Sequence, residues 1–371
     1  MLCEKKDCTG CYSCYNICPK NAIEFKEDEY GYIYPEINNN CIKCGLCEKV
    51  CPSINNLKFK KPQKAYASWS IDTENRKTST SGGVASILSQ YIIDCGGIVY
   101  GAAYCENLNV NHIRVTNKVE LLRLKGSKYV QSNIGDSYLK AKKDLDNNKL
   151  VLFTGTPCQI AGLLQYLRKE YNNLITLDIV CHGVPSNKML KEYVKEEIGH
   201  IDIDSIQFRE GINYVISFKK DNNIIYRKVI RESTYFTGFM QSIISRENCY
   251  KCKYAKPERI SDITIGDFWG LGQEKPFNHD IKDGVSLLLP NTEKGKKLIQ
   301  DCKENLFIEE RDITEAINGN SQLRQPAQCH KKRGMFKEYY LKKGFNKSIK
   351  KCFRLDFIKY RIKKILLKVN E

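Results

Sequence analysis

No stretch of this 371-residue sequence stays apolar long enough to span a bilayer. No charged start followed by a short apolar run is visible either, so a secretory signal peptide is not expected. Low-complexity tracts are lacking, and the apolar content suits a folded chain long enough for two or three domains. Acidic residues are scarce: 43 Asp and Glu face 60 Lys and Arg, a net charge of +17. The excess is uneven, because residues 330–371 alone contribute +12. A basic surface attracts nucleic acid, anionic lipid or acidic proteins. No nucleic-acid-binding motif accompanies this one, so no nucleic acid partner is expected.

Cysteine, by contrast, is abundant, with eighteen residues. Eight stand in two runs, Cys8, Cys11, Cys14, Cys18 and Cys41, Cys44, Cys47, Cys51, each followed by proline. Both read C-x2-C-x2-C-x3-C-P, the run that holds [4Fe–4S] clusters in bacterial ferredoxins. Two-residue gaps set three sulfurs on one tight loop, and the fourth cysteine of each run serves the other cluster. One site is therefore Cys8, Cys11, Cys14 and Cys51, the other Cys41, Cys44, Cys47 and Cys18. CxxC pairs also bind structural zinc, but two full copies with the Cys-Pro ending favour iron. Residues 1–57 thus resemble a two-cluster ferredoxin. Thiolate clusters suit a reducing compartment, and the expected location is cytoplasmic, with a peripheral membrane contact as an option for the basic tail.

Within residues 1–57, Ala22–Phe25 and Tyr32–Pro35 read as short strands. Lys58–Lys64 reads as a linker. A second domain begins at Ala65, with a strand over Ala65–Ser70 and then Ser79-Thr80-Ser81-Gly82-Gly83 ahead of a helix at Val84–Ile93. Ser/Thr there reads as an N-cap, and free N–H groups at a helix start suit a phosphate. Strands are expected over Ile98–Tyr104 and Val110–Thr116. The loop Lys125-Gly126-Ser127-Lys128-Tyr129 offers cations, a turn glycine and a ring to a flavin, or is a plain solvated turn. Leu150–Phe153 runs into Thr154-Gly155-Thr156-Pro157-Cys158 and a helix. Leu174–Val180 runs into Cys181-His182-Gly183 and another helix. This alternation is that of a parallel α/β sheet, whose ligands sit beyond the carboxyl ends of the strands. Cys158 and Cys181 fall there. Residues 203–231 alternate as antiparallel strands, and Tyr235–Ser245 reads as a helix ahead of Cys249 and Cys252. Those four cysteines form a candidate third [4Fe–4S] site, although a CxxC with two distant cysteines also binds zinc or nothing. Cys3, Cys95, Cys105, Cys302, Cys329 and Cys352 read as ordinary thiols. Beyond Lys331 the spacing is helical, with Phe353, Phe357, Ile358, Ile362, Ile365 and Leu366 on one face. That face packs on the protein or lies on an anionic membrane surface.

Thr154–Leu163 (TGTPCQIAGL), Cys181–Ser186 (CHGVPS), Gly126–Ser132 (GSKYVQS) and Asp262–Gly270 (DITIGDFWG) together resemble the coenzyme F420 hydrogenase/dehydrogenase beta-subunit family, across residues 1–310. The resemblance implies an α+β / α/β architecture: a small two-cluster ferredoxin-like domain (1–57), a mixed α/β flavin-binding domain (65–310) and a basic helical tail (330–371). It implies FAD and a third cluster at Cys158, Cys181, Cys249 and Cys252. Ser81, Gly82, Gly83, Lys125, Gly126, Ser127, Lys128 and Tyr129 are its flavin-cleft candidates, with Thr154, Gly155, Thr156 and His182 lining the same crevice. His182 is the candidate catalytic proton carrier, against a plain hydrogen-bonding role. Asp267 and Trp269 read as structural, one capping a turn and the other covering a cofactor. The implied function is an oxidoreductase linking a ferredoxin or other redox protein to coenzyme F420 or another small-molecule hydride acceptor. The rivals are a non-catalytic electron-transfer subunit and a scaffold. No hydrogenase or formate-oxidising signature is present, so the ultimate donor is external.

Overall fold

The computed structural model of the protein describes residues 2–210 and 213–369, without the side chains of 365–369. Strands β1 (Ile23–Glu27) and β2 (Ile33–Ile37) pair antiparallel between the two cysteine runs. The segment expected to be a linker is tied down: Lys60 bridges Arg259 by reciprocal backbone hydrogen bonds of 2.7 and 2.8 Å.

The body is built on strands β3 (Ala65–Ser70), β4 (Ile98–Tyr104), β5 (Val110–Val115), β6 (Val151–Gly155) and β7 (Leu174–Ile179). Then follow β8 (Ser205–Glu210), β9 (Asn213–Lys220), β10 (Asn223–Val229), β11 (Ile263–Asp267), β12 (Ser286–Pro290) and β13 (Leu306–Arg311). Among the described residues eight strands form one mixed sheet, in the order β13-β3-β12-β11-β7-β6-β4-β5. Its centre, β4, β6, β7 and β11, is parallel, and its remaining neighbours pair antiparallel. Val151-Leu152-Phe153 is wholly buried, as a strand covered by helices on both faces must be. The three strands β8–β10 form a separate antiparallel sheet.

Two local features depart from expectation, the start of one helix and the end of another. The helix Val84–Asp94 is entered through Gly83 at φ 81 with no side-chain cap, so its first N–H groups have no Ser/Thr partner. Gly82 is small because Ser68 O and the Ser286 amide would lie 2.5 and 3.0 Å from a Cβ there. The helix expected to reach Ser245 ends at Met240, and Ser242 then turns the chain at φ 49.

The basic tail folds onto the body. Helices Arg333–Lys343 and Phe345–Cys352 bury Phe336, Tyr340, Phe345 and Ile349 in one apolar cluster with Phe208, Ile216, Phe218 and Tyr235. Of the expected apolar face, Phe353 is buried and Phe357 packs beside it, while Ile358 and Ile362 are exposed. The side chains of Ile365 and Leu366 lie outside the described residues. No helix among the described residues is long and apolar enough to cross a membrane.

Candidate metal centre

Two cavities organise the cysteines. The inner ferredoxin cavity is lined by Cys8, Cys11, Cys14 and Cys51, with Tyr12, Phe25, Pro35 and Pro52 around them. This is the crossed set: three sulfurs from the first run and one from the second. All four are buried. Cys51 reaches the first run because Ser13 Oγ donates to Val50 O at 2.9 Å, fixing the end of the second run there. Gly10 N–H donates to Cys8 Sγ at 3.4 Å, an amide-to-sulfur contact that favours thiolate. The other set faces outward: Cys44 is exposed, and Cys18, Cys41 and Cys47 are half-buried. Cys18 Sγ accepts from Ala22 N–H at 3.2 Å and Cys41 Sγ from Lys43 N–H at 3.4 Å.

Cys3, read from the sequence as an ordinary thiol, also lines the inner cavity, in hydrogen-bond contact with Cys8 and Cys51. Those contacts hold the Cys8 and Cys51 thiols down at about 6. No spacing rule reaches a cysteine five residues ahead of a run.

The second cavity brings together Cys158, Cys181 and the Cys249/Cys252 pair, which come from three separate stretches of the sequence. Cys158 stands in the first turn of the helix Pro157–Leu167, directly after β6. Cys181 follows the end of β7, the parallel neighbour of β6. Thr156 N–H donates to Gln159 Oε1 at 3.0 Å, and the Thr156 hydroxyl lies 3.2 Å from Cys158 Sγ. Burial pushes the Cys158 thiol up to about 12 and Cys249 up to about 11, and raises Cys181 and Cys252. Bare thiols there stay protonated at neutral pH, so binding iron releases protons. Among the described residues no three His, Cys, Asp or Glu side chains converge closely enough for a single ion. The cysteines line the two cavities instead.

Arg246 joins the two halves and was not singled out in the sequence. It is fully buried. Its Nε donates to Cys8 O at 2.8 Å, Nη1 to Gln131 Oε1 at 3.1 Å and Nη2 to Ile33 O at 2.8 Å. Its charge reaches Cys8, Cys158 and Cys249, as a counter-charge for thiolate-bound clusters would. The available signal was a charged residue two positions after the apolar pair Ile243-Ile244.

Two of the flavin-candidate segments also meet. Lys125 Nζ donates to Thr78 Oγ1 at 2.6 Å, and Ser127 N–H to Thr80 Oγ1 at 2.8 Å. The loop 125–129 thus lies against the turn carrying Ser81, Gly82 and Gly83. Gly126, at φ 83, faces open space. Lys128 is turned inward, donating to the carbonyls of Arg123, Leu124 and Lys125. Tyr129 packs edge-on against Phe208, with ring centroids 4.9 Å apart. Thr154 O contacts His112 Nε2 at 2.9 Å, and Gly155 packs near Gln159 and His112. The uncapped helix start beside a loop bearing Lys125 fits the phosphate end of a dinucleotide. His182 adjoins Cys181, and burial lowers its pKa while Asp267 opposes the shift. Asp267 pairs with Arg209, and Trp269 stacks on Tyr214 with centroids 6.1 Å apart. Asp267 thus pairs with the buried Arg209, whose guanidinium also lies 5.7 Å from the Trp269 ring centre.

Residues 7–74 match the model of the 4Fe-4S dicluster domain. Residues 148–316 match the model for the C-terminal part of the coenzyme F420 hydrogenase/dehydrogenase beta subunit. An uncharacterized protein of Methanocaldococcus jannaschii is 24% identical over 344 residues, spanning 81% of this chain and 88% of the relative. An uncharacterized ferredoxin of the same organism is 34% identical over 65 residues, which cover 17% of this chain and 84% of that ferredoxin. A polypeptide in the F420-reducing [NiFe] hydrogenase complex of Methanosarcina barkeri aligns at 17% identity and a TM-score of 0.49, over 71% of this chain and 91% of that one. The class is that of iron–sulfur electron-transfer proteins. Through residues 148–316 the chain is related to the coenzyme F420 hydrogenase/dehydrogenase beta subunit, and residues 7–74 carry a 4Fe-4S dicluster domain.

Proposed function

We propose that this chain is an iron–sulfur flavoprotein oxidoreductase that moves electrons between ferredoxin-type clusters and FAD, and on to coenzyme F420 or another small-molecule hydride acceptor. One observation carries this reading. Four cysteines from two βα turns and a distant CxxC line a single cavity, and that cavity shares Thr9 with the inner ferredoxin cavity. Cys158, Cys181, Cys249 and Cys252 would hold a third [4Fe–4S] cluster. Ser81, Gly82, Gly83, Lys125, Gly126, Ser127, Lys128, Tyr129, Thr154, Gly155 and Thr156 would surround FAD. A flavin exchanges both single electrons and hydride, and so links one-electron carriers to a two-electron acceptor. The outward second run, with Cys44 exposed, suits docking of a ferredoxin or another redox protein. The same exposure favours a second reading, an electron-transfer subunit serving a partner enzyme.

Anaerobically prepared protein separates the two. Heat should release about one FAD per chain. With reduced ferredoxin, the protein alone should then reduce F420 or another acceptor in a screen that includes NAD(P)+. Replacing His182 by Ala should slow that turnover while flavin and iron remain. Protein that releases no flavin, and passes electrons only when a partner polypeptide is added, supports the second reading instead.

A further inference from the structure

Thr156, on the wall of the second cavity, carries one hydroxyl proton and faces two acceptors. Its Oγ1 lies 3.2 Å from Cys158 Sγ and 3.1 Å from Gln159 Oε1. Gln159 Oε1 also accepts from the Thr156 N–H at 3.0 Å, so it keeps a donor wherever the hydroxyl points. The Gln159 amide cannot turn around. Its Nε2 donates to Ser132 Oγ at 2.9 Å and to Ser132 O at 3.2 Å, and a carbonyl oxygen only accepts. Ser132 Oγ meets His112 Nδ1 at 3.1 Å, and His112 Nε2 meets Thr154 O at 2.9 Å. Burial takes the His112 pKa down to about 4, so the ring is neutral at pH 7. Because Thr154 O accepts, Nε2 holds the ring proton and Nδ1 receives the Ser132 hydroxyl. The hydrogen-bond chain thus leaves β6 at Thr154 and returns just beyond it at Thr156. Gln159, Ser132 and His112 are all buried, so water does not compete for these bonds.

While Cys158 is a thiol, its S–H donates to Thr156 Oγ1 and the Thr156 hydroxyl donates to Gln159. A thiolate bound to iron only accepts. The hydroxyl then turns its proton to the sulfur, and no buried acceptor is orphaned by the change. The same contact already works against burial, lowering the Cys158 pKa that burial raises. We propose that Thr156 is a positioning residue of the Cys158/Cys181/Cys249/Cys252 site, donating its hydroxyl proton to Cys158 Sγ and so raising the reduction potential of the cluster held there. The proposal rests on the functional reading above and deepens it: Thr156, grouped there with the flavin residues, turns its hydroxyl to the cluster. Hydrogen bonds to the sulfurs set the potential of such clusters, and partners behind the ligands tune a metal site. The reduced cluster carries one more negative charge, so a donor to its sulfur favours that state and removal of the donor lowers the potential. No proton leaves Thr156. Its hydroxyl rotates about the C–O bond, and the cluster gains or loses one electron.

The test uses the full-length chain with clusters reconstituted anaerobically, in Thr156→Val, Thr156→Ala and Thr156→Ser variants. Iron and acid-labile sulfide are counted, and cluster potentials are read by EPR-monitored redox titration. The signal of the third cluster is the one that the Cys249→Ser/Cys252→Ser double variant lacks. Thr156→Val and Thr156→Ala should keep wild-type iron and lower the potential of that signal. At a fixed ambient potential its reduced-to-oxidised ratio should fall about tenfold, which is about 59 mV for one electron. The ferredoxin signals should not move, and Thr156→Ser, which retains the hydroxyl, should keep the wild-type value. An unchanged potential in either iron-loaded hydroxyl-free variant overturns the proposal, as does a Thr156→Ser shift equal to theirs. Loss of the third cluster's iron from both Thr156→Val and Thr156→Ala also overturns it, because Thr156 would then hold the start of the helix and nothing more. Failure of the underlying reading looks different: wild-type protein would then hold only about eight irons, two ferredoxin clusters' worth, before any variant is made.

Discussion

Replacing Arg246 by Met is expected to destabilise the chain by several kcal/mol, because it strips a buried donor from a network of neutral acceptors. Three acceptors would lose their donor at once: Cys8 O, Gln131 Oε1 and Ile33 O. A left-over buried acceptor is unfavourable by roughly 1–3 kcal/mol. Two of the three belong to the ferredoxin unit and one to the body, so the seam between them should open first. Arg246→Lys should recover little, because an ammonium on a flexible stem cannot span three acceptors in a fixed fork. The check is urea unfolding followed both by far-UV dichroism and by visible absorbance of the clusters. The absorbance should be lost at a lower urea concentration in the variant than in the wild type. Coincident midpoints for variant and wild type would remove Arg246 from this role.

Replacing Gly162 by Val is expected to cost the protein the inner ferredoxin cluster, a loss of about four irons per chain. Gly162 lies on the helix that presents Cys158, and its carbonyl accepts from Ser13 Oγ at 3.0 Å. A Cβ there would stand 2.9 Å from Cys11 Cβ, 3.1 Å from Cys11 Sγ and 2.8 Å from the Tyr138 hydroxyl. Interiors packed to crystal-like density have no slack for that insertion. Cys11 must therefore move, and with it one corner of the inner site. Cys18, Cys41, Cys44 and Cys47 lie outside this contact and should keep their iron. Iron analysis with EPR of the dithionite-reduced variant checks this, and a full complement of iron would contradict it.

The parts of this account written in the sequence are those set by local rules. The cysteine runs are local, since two-residue gaps decide which sulfurs share a loop. The parallel turns were legible because Leu150–Phe153 and Leu174–Val180 are short apolar runs that end at Cys158 and Cys181. Those runs become β6 and β7, hydrogen-bonded neighbours. What the sequence hid is tertiary. Nothing local says that Arg246 reaches Cys8 or that Thr9 touches two cavities. Cys3 has no spacing that ties it to Cys51. Lys128 resembled a free cation for a phosphate, yet its ammonium donates to three carbonyls in the turn just before it. The expected Ser/Thr cap lost to Gly83 because the chain enters the helix at positive φ, where a side chain is strained. For the tail the sequence left packing on the protein and a membrane surface both open; Phe336, Phe345 and Ile349 complete the core beside β8 and β9, while Ile358 and Ile362 stay exposed.

The most direct measurement is the iron and acid-labile sulfide content of anaerobically reconstituted protein, wild type against the Cys249→Ser/Cys252→Ser double variant. The account predicts about twelve irons per wild-type chain and about eight in the double variant, with the ferredoxin EPR signals retained. Equal iron in the two proteins would contradict it.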